Sequence, residues 1–225
     1  MNNILHIDSS VRGTDHDTAS YNSISKALGR RFIELWMRKN HQARVVYQDI
    51  GLHPPAFICQ DWIAAAFRPE TDRTEQQHLV LAQSEAYLEQ VSNADVIVIT
   101  SPMYNYGMPA VLKAWFDQVM RVNKTFSFDL ARGDFPIEPL MRGKILVLLT
   151  SCGEFGFGPG GVRENLNHLS PHIKQLAKYL GAERVYEIGA EYQEFADDRH
   201  QLSIEHAKQA IAALVENLAL SCIRS

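Results

Sequence analysis

Ala94-Asp95-Val96-Ile97-Val98-Ile99-Thr100, running on into Ser101-Pro102-Met103-Tyr104-Asn105-Tyr106-Gly107-Met108-Pro109, is the stretch from which the architecture can be worked out. From Val96 to Ile99 every residue is β-branched and apolar, with no polar alternation. Such a run fits a strand covered on both faces, the situation of a parallel strand between two layers of helices. Pro109 then stands where the first turn of a helix tolerates a missing N–H, and residues 110–120 space Leu112, Trp115, Phe116 and Val119 along one helical face. Strand, loop and helix in this order are half of a crossover unit, because parallel strands need a long connection between them.

The same alternation recurs on both sides. Upstream, Ile4-Leu5-His6-Ile7 is a short apolar run halted by Asp8-Ser9-Ser10, and residues 18–38 space Ile24, Leu28, Phe32, Leu35 and Trp36 for a helix. Arg44-Val45-Val46-Tyr47 reads as a strand stopped by Asp49-Ile50-Gly51 and Pro54-Pro55. Residues 71–91 read as a helix with Leu79, Ala82, Ala86 and Leu88 toward one face and Thr74 as its start signal. Downstream, residues 144–150 repeat the buried-strand pattern, 151–161 form a glycine-rich loop, and 165–180 are helical up to a Gly181 cap. Residues 184–189 make a fifth strand and 200–220 a closing helix.

Five strands alternating with five helices imply one doubly wound α/β domain over residues 1–225, with no linker or repeat to divide it. Two stretches, 54–72 and 123–142, far exceed the roughly 2 to 6 residues usual in such connections and read as insertions at a pocket rim or a subunit interface.

Composition narrows the function. With 225 residues, 46% hydrophobic and 21% charged, the chain has the make-up of a folded globular protein. Its 22 Lys and Arg against 26 Asp and Glu leave a formal charge of -4, which argues against a basic groove for nucleic acid. No apolar run approaches the roughly 18 residues of a membrane span, and the start carries no export signal. Cys59, Cys152 and Cys222 are odd in number and far apart, which suits a reducing compartment and makes the cytoplasm the expected location.

In a doubly wound sheet, ligands bind beyond the carboxyl ends of the strands, so the loops there carry the functional reading. The first, residues 9–20, holds Ser and Thr hydroxyls just before a helix start, where free N–H groups and the helix dipole favour an anion such as phosphate. It is neither of the glycine-rich nucleotide fingerprints, and helix capping explains the same hydroxyls equally. The second, Pro102 to Tyr106, offers two aromatics, an amide and a thioether, a wall for a planar ring or else a hydrophobic cap on the sheet. The third, residues 150–161, is dense in glycines that let backbone approach a ligand or simply turn.

The order HIDSS, TAS, SPMYNY leading into LKAWFDQV, TF, and TSCG at the head of a glycine-rich loop resembles the flavodoxin-like family of FMN-dependent NAD(P)H azoreductases and quinone reductases. The resemblance spans essentially the whole chain and is most specific from Pro102 to Asp117. It implies a five-stranded sheet of order 2-1-3-4-5, FMN as cofactor, NADH or NADPH as hydride donor, and a quinone or azo compound as acceptor. It further implies a ping-pong cycle through flavin N5 without a catalytic side chain, and a homodimer with sites at its interface. Carried over residue by residue, Ser10, Thr18, Ala19 and Ser20 hold the FMN phosphate. Pro102, Met103, Tyr104, Asn105 and Tyr106 wrap the isoalloxazine, and Ser151, Cys152, Gly153 and Glu154 meet its pyrimidine side. Cys152 and Glu154 depart from the family, which often has Arg and Gly there; a carboxylate aimed at the ring would disfavour its reduced anion.

Other residues have plainer readings. Cys152 is a loop-packing or flavin-contact group rather than a redox thiol, and Cys59 and Cys222 are inert. His6 is a core histidine, and His168 with His172 form a solvated helix face. Trp62, Phe67, Phe126, Phe155 and Phe157 line an acceptor pocket or pack a core or dimer. Two rival functions stand: an electron carrier without its own substrate, and a flavin-binding regulatory protein.

Overall fold

The structure, a computed structural model, describes residues 2–223, with side chains described to residue 220; Cys222 therefore lies outside the described side chains. Strands β1 (Asn3–Asp8), β2 (Arg44–Asp49), β3 (Val96–Pro102), β6 (Lys144–Ser151) and β7 (Ala182–Ala190) form one sheet of order β2-β1-β3-β6-β7. All four pairings are parallel, so in the order of the sheet's own strands this is 2-1-3-4-5. The crossovers are supplied by α1 (Ile24–Lys39), α3 (Glu75–Asn93), α4 (Ala110–Val119) and α5 (Ser170–Ala177), with α6 (Asp198–Ile223) closing the chain.

Two-sided burial follows directly from the unbroken apolar runs. Every residue of β3 is buried. Its Ile97 and Ile99 join Leu146 and Leu148 of β6 in a core under α3, α4 and α5, whereas Val96 and Val98 join Ile145, Val147 and Leu149 in a core under α1 and α6. Successive side chains of a strand point to opposite faces, so along residues 96–99, between two helical layers, both faces call for apolar residues.

The helices differ from their sequence-based outlines in instructive ways. Helix α1 begins at Ile24, not at residue 18, because Ser23 caps it by accepting from the Lys26 N–H at 3.3 Å. Upstream of that cap, Ala19–Tyr21 form a single 3-10 turn. The loop before α1 is closed on itself: His16 N–H donates to Asn22 Oδ1 at 2.7 Å, and Ser23 N–H donates to Gly13 O at 2.7 Å. Helix α5 starts at Ser170 rather than 165, since Asn167 Oδ1 accepts from the Leu169 and Ser170 N–H groups and so takes the capping role. On α3 the buried stripe is Leu81, Ser84, Tyr87, Leu88 and Val91, while Leu79 is exposed. A capping box between Thr74 and Gln77 sets the helix start, and packing against Trp62, Ala65 and Ala66 selects Leu81.

Both insertions contain secondary structure of their own. The first holds α2 (Gln60–Phe67), whose Trp62, Ala65 and Ala66 pack on Leu81. The second holds an antiparallel hairpin of β4 (Phe126–Phe128) and β5 (Ile137–Pro139).

The turn after β2 is pressed against the first loop. A Cβ on Gly51 would lie 1.9 Å from the carbonyl oxygen of Ser10, a backbone atom with no freedom to yield. Gly51→Ala is therefore expected to lower the unfolding free energy by about 2–3 kcal/mol, read as a drop in the urea midpoint with an unchanged slope. An unaltered midpoint would contradict this packing.

Candidate active site

Because β1, β3 and β6 run parallel and in register, their carboxyl ends emerge side by side. Pro102 pairs with Ser151, and Met103 N–H donates to Ser151 O at 2.8 Å. Beyond these ends lies a cleft of about 220 Å³, open to solvent at its mouth.

One end of the cleft abuts the N-terminus of α1. It is lined by Ser10, Arg12, Asn22, Ser23 and Ile24, which brings the first loop onto the N-terminus of α1. Ser10 is buried and its Oγ accepts from the Arg12 N–H at 3.2 Å, and the Arg12 guanidinium donates to Ser20 O at 3.3 Å. A guanidinium beside the positive end of a helix dipole gives this corner net attraction for phosphate or carboxylate.

Below Ser10 the strand end is tied down by a buried carboxylate. Asp8 has no solvent exposure. Its oxygens accept from the Thr100 hydroxyl at 2.6 Å and the Tyr47 hydroxyl at 2.8 Å, and His6 Nε2 lies 3.0 Å away. Burial by itself would raise the pKa of this carboxyl, but His6 and the two hydroxyls together outweigh it and hold the group below the usual carboxylate value. Next along the chain, the Ser9 hydroxyl donates to Thr100 O at 2.8 Å, linking β1 to β3 again.

The middle of the cleft is walled by Pro102, Met103 and Tyr104. There the chain reverses through a tight turn in which Tyr104 and Gly107 exchange backbone bonds of 3.0 Å, with Asn105 at φ 48° and Tyr106 at φ 67°. Two consecutive positive φ values are the signature of a type I′ turn, natural for Asn and costly for Tyr. Tyr106 is held there by the His168 N–H, which donates to its carbonyl at 2.9 Å, and by Phe157 at 6.3 Å between ring centres.

The far end is made by Ser151, Cys152 and Gly153 together with Gln193 and Glu194 from the loop after β7. Burial and the nearby Glu191 and Glu154 carboxylates push the Cys152 thiol up to about 12, so it stays protonated at neutral pH and is neither nucleophile nor redox thiolate.

Of the residues named from sequence, the cleft gathers Ser10, Pro102, Met103, Tyr104, Ser151, Cys152 and Gly153. Thr18, Ala19 and Ser20 are not in its lining: they are exposed in the turn before the Ser23 cap, and the place expected for them is taken by Asn22 and Ser23. Asn105 and Tyr106 lie just beyond the wall in their turn, and Glu154 is engaged by Arg163 at 3.0 Å. Sequence reasoning missed Arg12, Asn22, Ser23, Gln193 and Glu194. A Ser before an apolar-periodic run was a readable cap signal for Ser23, whereas nothing local distinguishes Gln193 or Glu194. His168 and His172 are both exposed, and among the described residues no group of three metal-ligating side chains occurs.

A family model, Flavodoxin_2, described as flavodoxin-like fold, matches residues 2–215. The chain belongs to the flavodoxin-like family. Within it, the chain is 57% identical over 218 residues to the "FMN-dependent NADH:quinone oxidoreductase 2" of Colwellia psychrerythraea, covering 97% of this chain and 100% of that protein. It is 55% identical to the protein of the same name from Idiomarina loihiensis, over 98% of this chain and 92% of that one. Among solved structures, an azoreductase from Bacillus anthracis superposes with a TM-score of 0.82 at 20% identity, covering 96% of this chain and all of that one, and so shares the flavodoxin-like fold.

The Asp8 cluster makes a pH prediction. A carboxyl whose pKa is lower folded than unfolded contributes stability that is present above its unfolded value and lost as pH falls below about 4. Asp8→Asn should therefore unfold at lower urea than the parent at pH 7, with the gap narrowing as pH drops through that range. A gap that stayed constant with pH would rule out a charged Asp8.

Proposed function

We propose that this flavodoxin-like protein is an FMN-dependent NADH:quinone oxidoreductase that also accepts azo compounds, acting as one domain. The observation that carries the reading is the continuity of the cleft. An anion-favouring corner at Ser10, Arg12 and the α1 N-terminus leads into a slot walled by Met103 and Tyr104 and ends at the Ser151–Gly153 backbone. Phosphate, ribityl chain and flat ring require that sequence of environments in that order. The high identity to relatives named as FMN-dependent NADH:quinone oxidoreductases over almost their whole length supports it.

In this reading Ser10 and Arg12 hold the phosphate, with Thr18, Ala19 and Ser20 contributing only if the loop before α1 rearranges around it. Pro102, Met103 and Tyr104 pack the ring, the turn at Asn105 and Tyr106 supports them, and Ser151, Cys152, Gly153 and Glu154 form the pyrimidine side. Bound FMN supplies hydride acceptance at N5 and two-electron delivery, in a ping-pong cycle where the donor leaves before the acceptor enters. The chain's own part is to orient and to exclude competing chemistry. With the Cys152 thiol protonated and Glu154 neutralised by Arg163, no side chain in the cleft acts as a nucleophile, and the carboxylate that departs from the family is drawn into an ion pair. NADH is the favoured donor because both relatives described above carry it in their names. A reducing compartment, the cytoplasm, fits the free and exposed Cys59, and no described helix is long and apolar enough to cross a membrane.

The test is anaerobic spectroscopy of protein supplied with FMN. Oxidised-flavin bands should bleach with NADH and return with a simple quinone. Bound flavin that neither NADH nor NADPH bleaches would favour the electron-carrier reading, and failure to bind flavin at all would favour the regulatory one.

A homodimer belongs to the same proposal. Phe57 and Phe67 around α2 and Phe135 in the hairpin loop are 73%, 69% and 85% exposed, more aromatic surface than a monomer usually leaves open. Sedimentation equilibrium should give twice the 25.4 kDa chain mass; a monomer at micromolar concentration would remove the dimer.

A further inference from the structure

The wall formed by Cys152 and Gly153 is not held by the sheet alone. Past the last residues of β6 and β7 the two chains stay zipped together. Cys152 N–H donates to Ala190 O at 3.0 Å, Gln193 N–H to Cys152 O at 3.2 Å, Glu194 N–H to Gly153 O at 3.0 Å, and Tyr192 N–H to Glu154 O at 2.9 Å. The fit is close enough that a Cβ on Gly153 would lie 2.6 Å from Glu194 Cγ.

Outside this zipper stands a column of two stacked rings with a guanidinium at each end. Phe155 and Tyr192 are stacked, 4.6 Å between centres and 11° from parallel. The Arg163 guanidinium covers the Phe155 ring at 4.5 Å and pairs with Glu154 at 3.0 Å, while Arg199 covers Tyr192 at 5.0 Å. Each ring is thus capped by a guanidinium, an arrangement that the ring quadrupole favours. Neither Phe155 nor Tyr192 lines the cleft, yet their chain neighbours do: Cys152 and Gly153 on one loop, Gln193 and Glu194 on the other.

Tyr192 also carries a backbone signature. Its φ is 66°, a left-handed conformation in which a bulky side chain is disfavoured. Such a residue persists only where its surroundings over-determine it, and these outliers gather at functional sites. Here the stack with Phe155, the edge contact with Phe195, the Tyr192 N–H bond to Glu154 O and the Phe195 N–H bond to Tyr192 O hold it in place.

We infer that Tyr192 is a positioning residue: its ring, clamped between Phe155 and Arg199, sets the separation of the two loops that form the pyrimidine-side wall of the cleft. The inference rests on the flavin reading of that cleft and adds to it a residue from the last strand's loop.

Two substitutions separate the ring from the backbone. Tyr192→Gly removes the ring while relieving the left-handed strain, and Tyr192→Phe keeps the ring and loses only the hydroxyl. FMN affinity is measured by quenching of flavin fluorescence on titration with apoprotein, and thermal unfolding of the apoproteins is followed by far-UV circular dichroism. Tyr192→Gly is expected to keep its thermal midpoint and to bind FMN about tenfold more weakly, the order of an aromatic pair. Its bound FMN should also show an altered visible circular dichroism. Tyr192→Phe should match the parent in both. Should Tyr192→Gly fail to fold, Phe155→Leu removes the same stack from the other side and carries the same expectation. Parental affinity in the folded stack variant, or an equal loss in Tyr192→Phe, would overturn the positioning role while leaving the flavin reading intact. A parent protein that binds no FMN would overturn both.

Discussion

A carboxylate cut off from water stands where β1 gives way to the first loop, and the arrangement of the cleft depends on how it is satisfied. Asp8 cannot be solvated, so its oxygens take the hydroxyls of Thr100 from β3 and Tyr47 from β2. A buried charge is tolerated only with such partners, which is why three neighbouring strand ends are bound to one another at this point. Ser9 and Ser10 follow immediately, pinned by the Thr100 carbonyl on one side and by the bare backbone of Gly51 on the other. Ser9 and Ser10 are therefore set by the sheet, and Arg12, from the loop before α1, completes the corner above them.

The opposite end of the cleft is organised by different physics. No buried charge fixes the loops after β6 and β7; backbone pairing and a stack of rings and guanidinium groups do. The carboxylates are handled by pairing as well. Glu154, which placed beside a reduced ring would oppose its charge, is turned to Arg163, and Glu191 accepts from the Gly156 N–H at 3.0 Å. Negative charge near this end is thereby used to shape the loop. The thiol between them stays neutral, so the wall presents backbone and a small apolar sulfur to whatever occupies the cleft.

Legibility in the sequence tracked the range of the interactions involved. The strands of the main sheet and the five crossover and closing helices were readable because two-sided burial writes itself as unbroken apolar runs, and amphipathic burial as a helical period. Helix starts were harder: residues 18–20 carry the right hydroxyls, yet the cap is Ser23, since the His16–Asn22 bonds close the loop before the helix can begin. The three-residue strands of the hairpin at Phe126–Phe128 and Ile137–Pro139 bury too little to impose a period, and α2 follows the Pro54-Pro55 turn inside a stretch that reads as a connection. On α3 Leu88 lies on the buried face as the periodicity predicts, but Leu81 replaces Leu79 there because α2 packs on it, and the sequence alone makes the two equivalent.

What the sequence by itself determined is the layered α/β plan and hence the edge where a ligand must bind, together with Ser10, Pro102 to Tyr104 and Ser151 to Gly153 as residues at that edge. These follow from strand ends, and strand ends are local. Only the tertiary structure decided that Arg12, Asn22 and Ser23 complete the anion corner, that Gln193 and Glu194 close the far wall, and that Phe155 and Tyr192 stack behind it. The physical reason is that a loop has no internal period to constrain it. Its side chains are placed by partners remote in sequence, and those partners are known only once the sheet has brought the loops together.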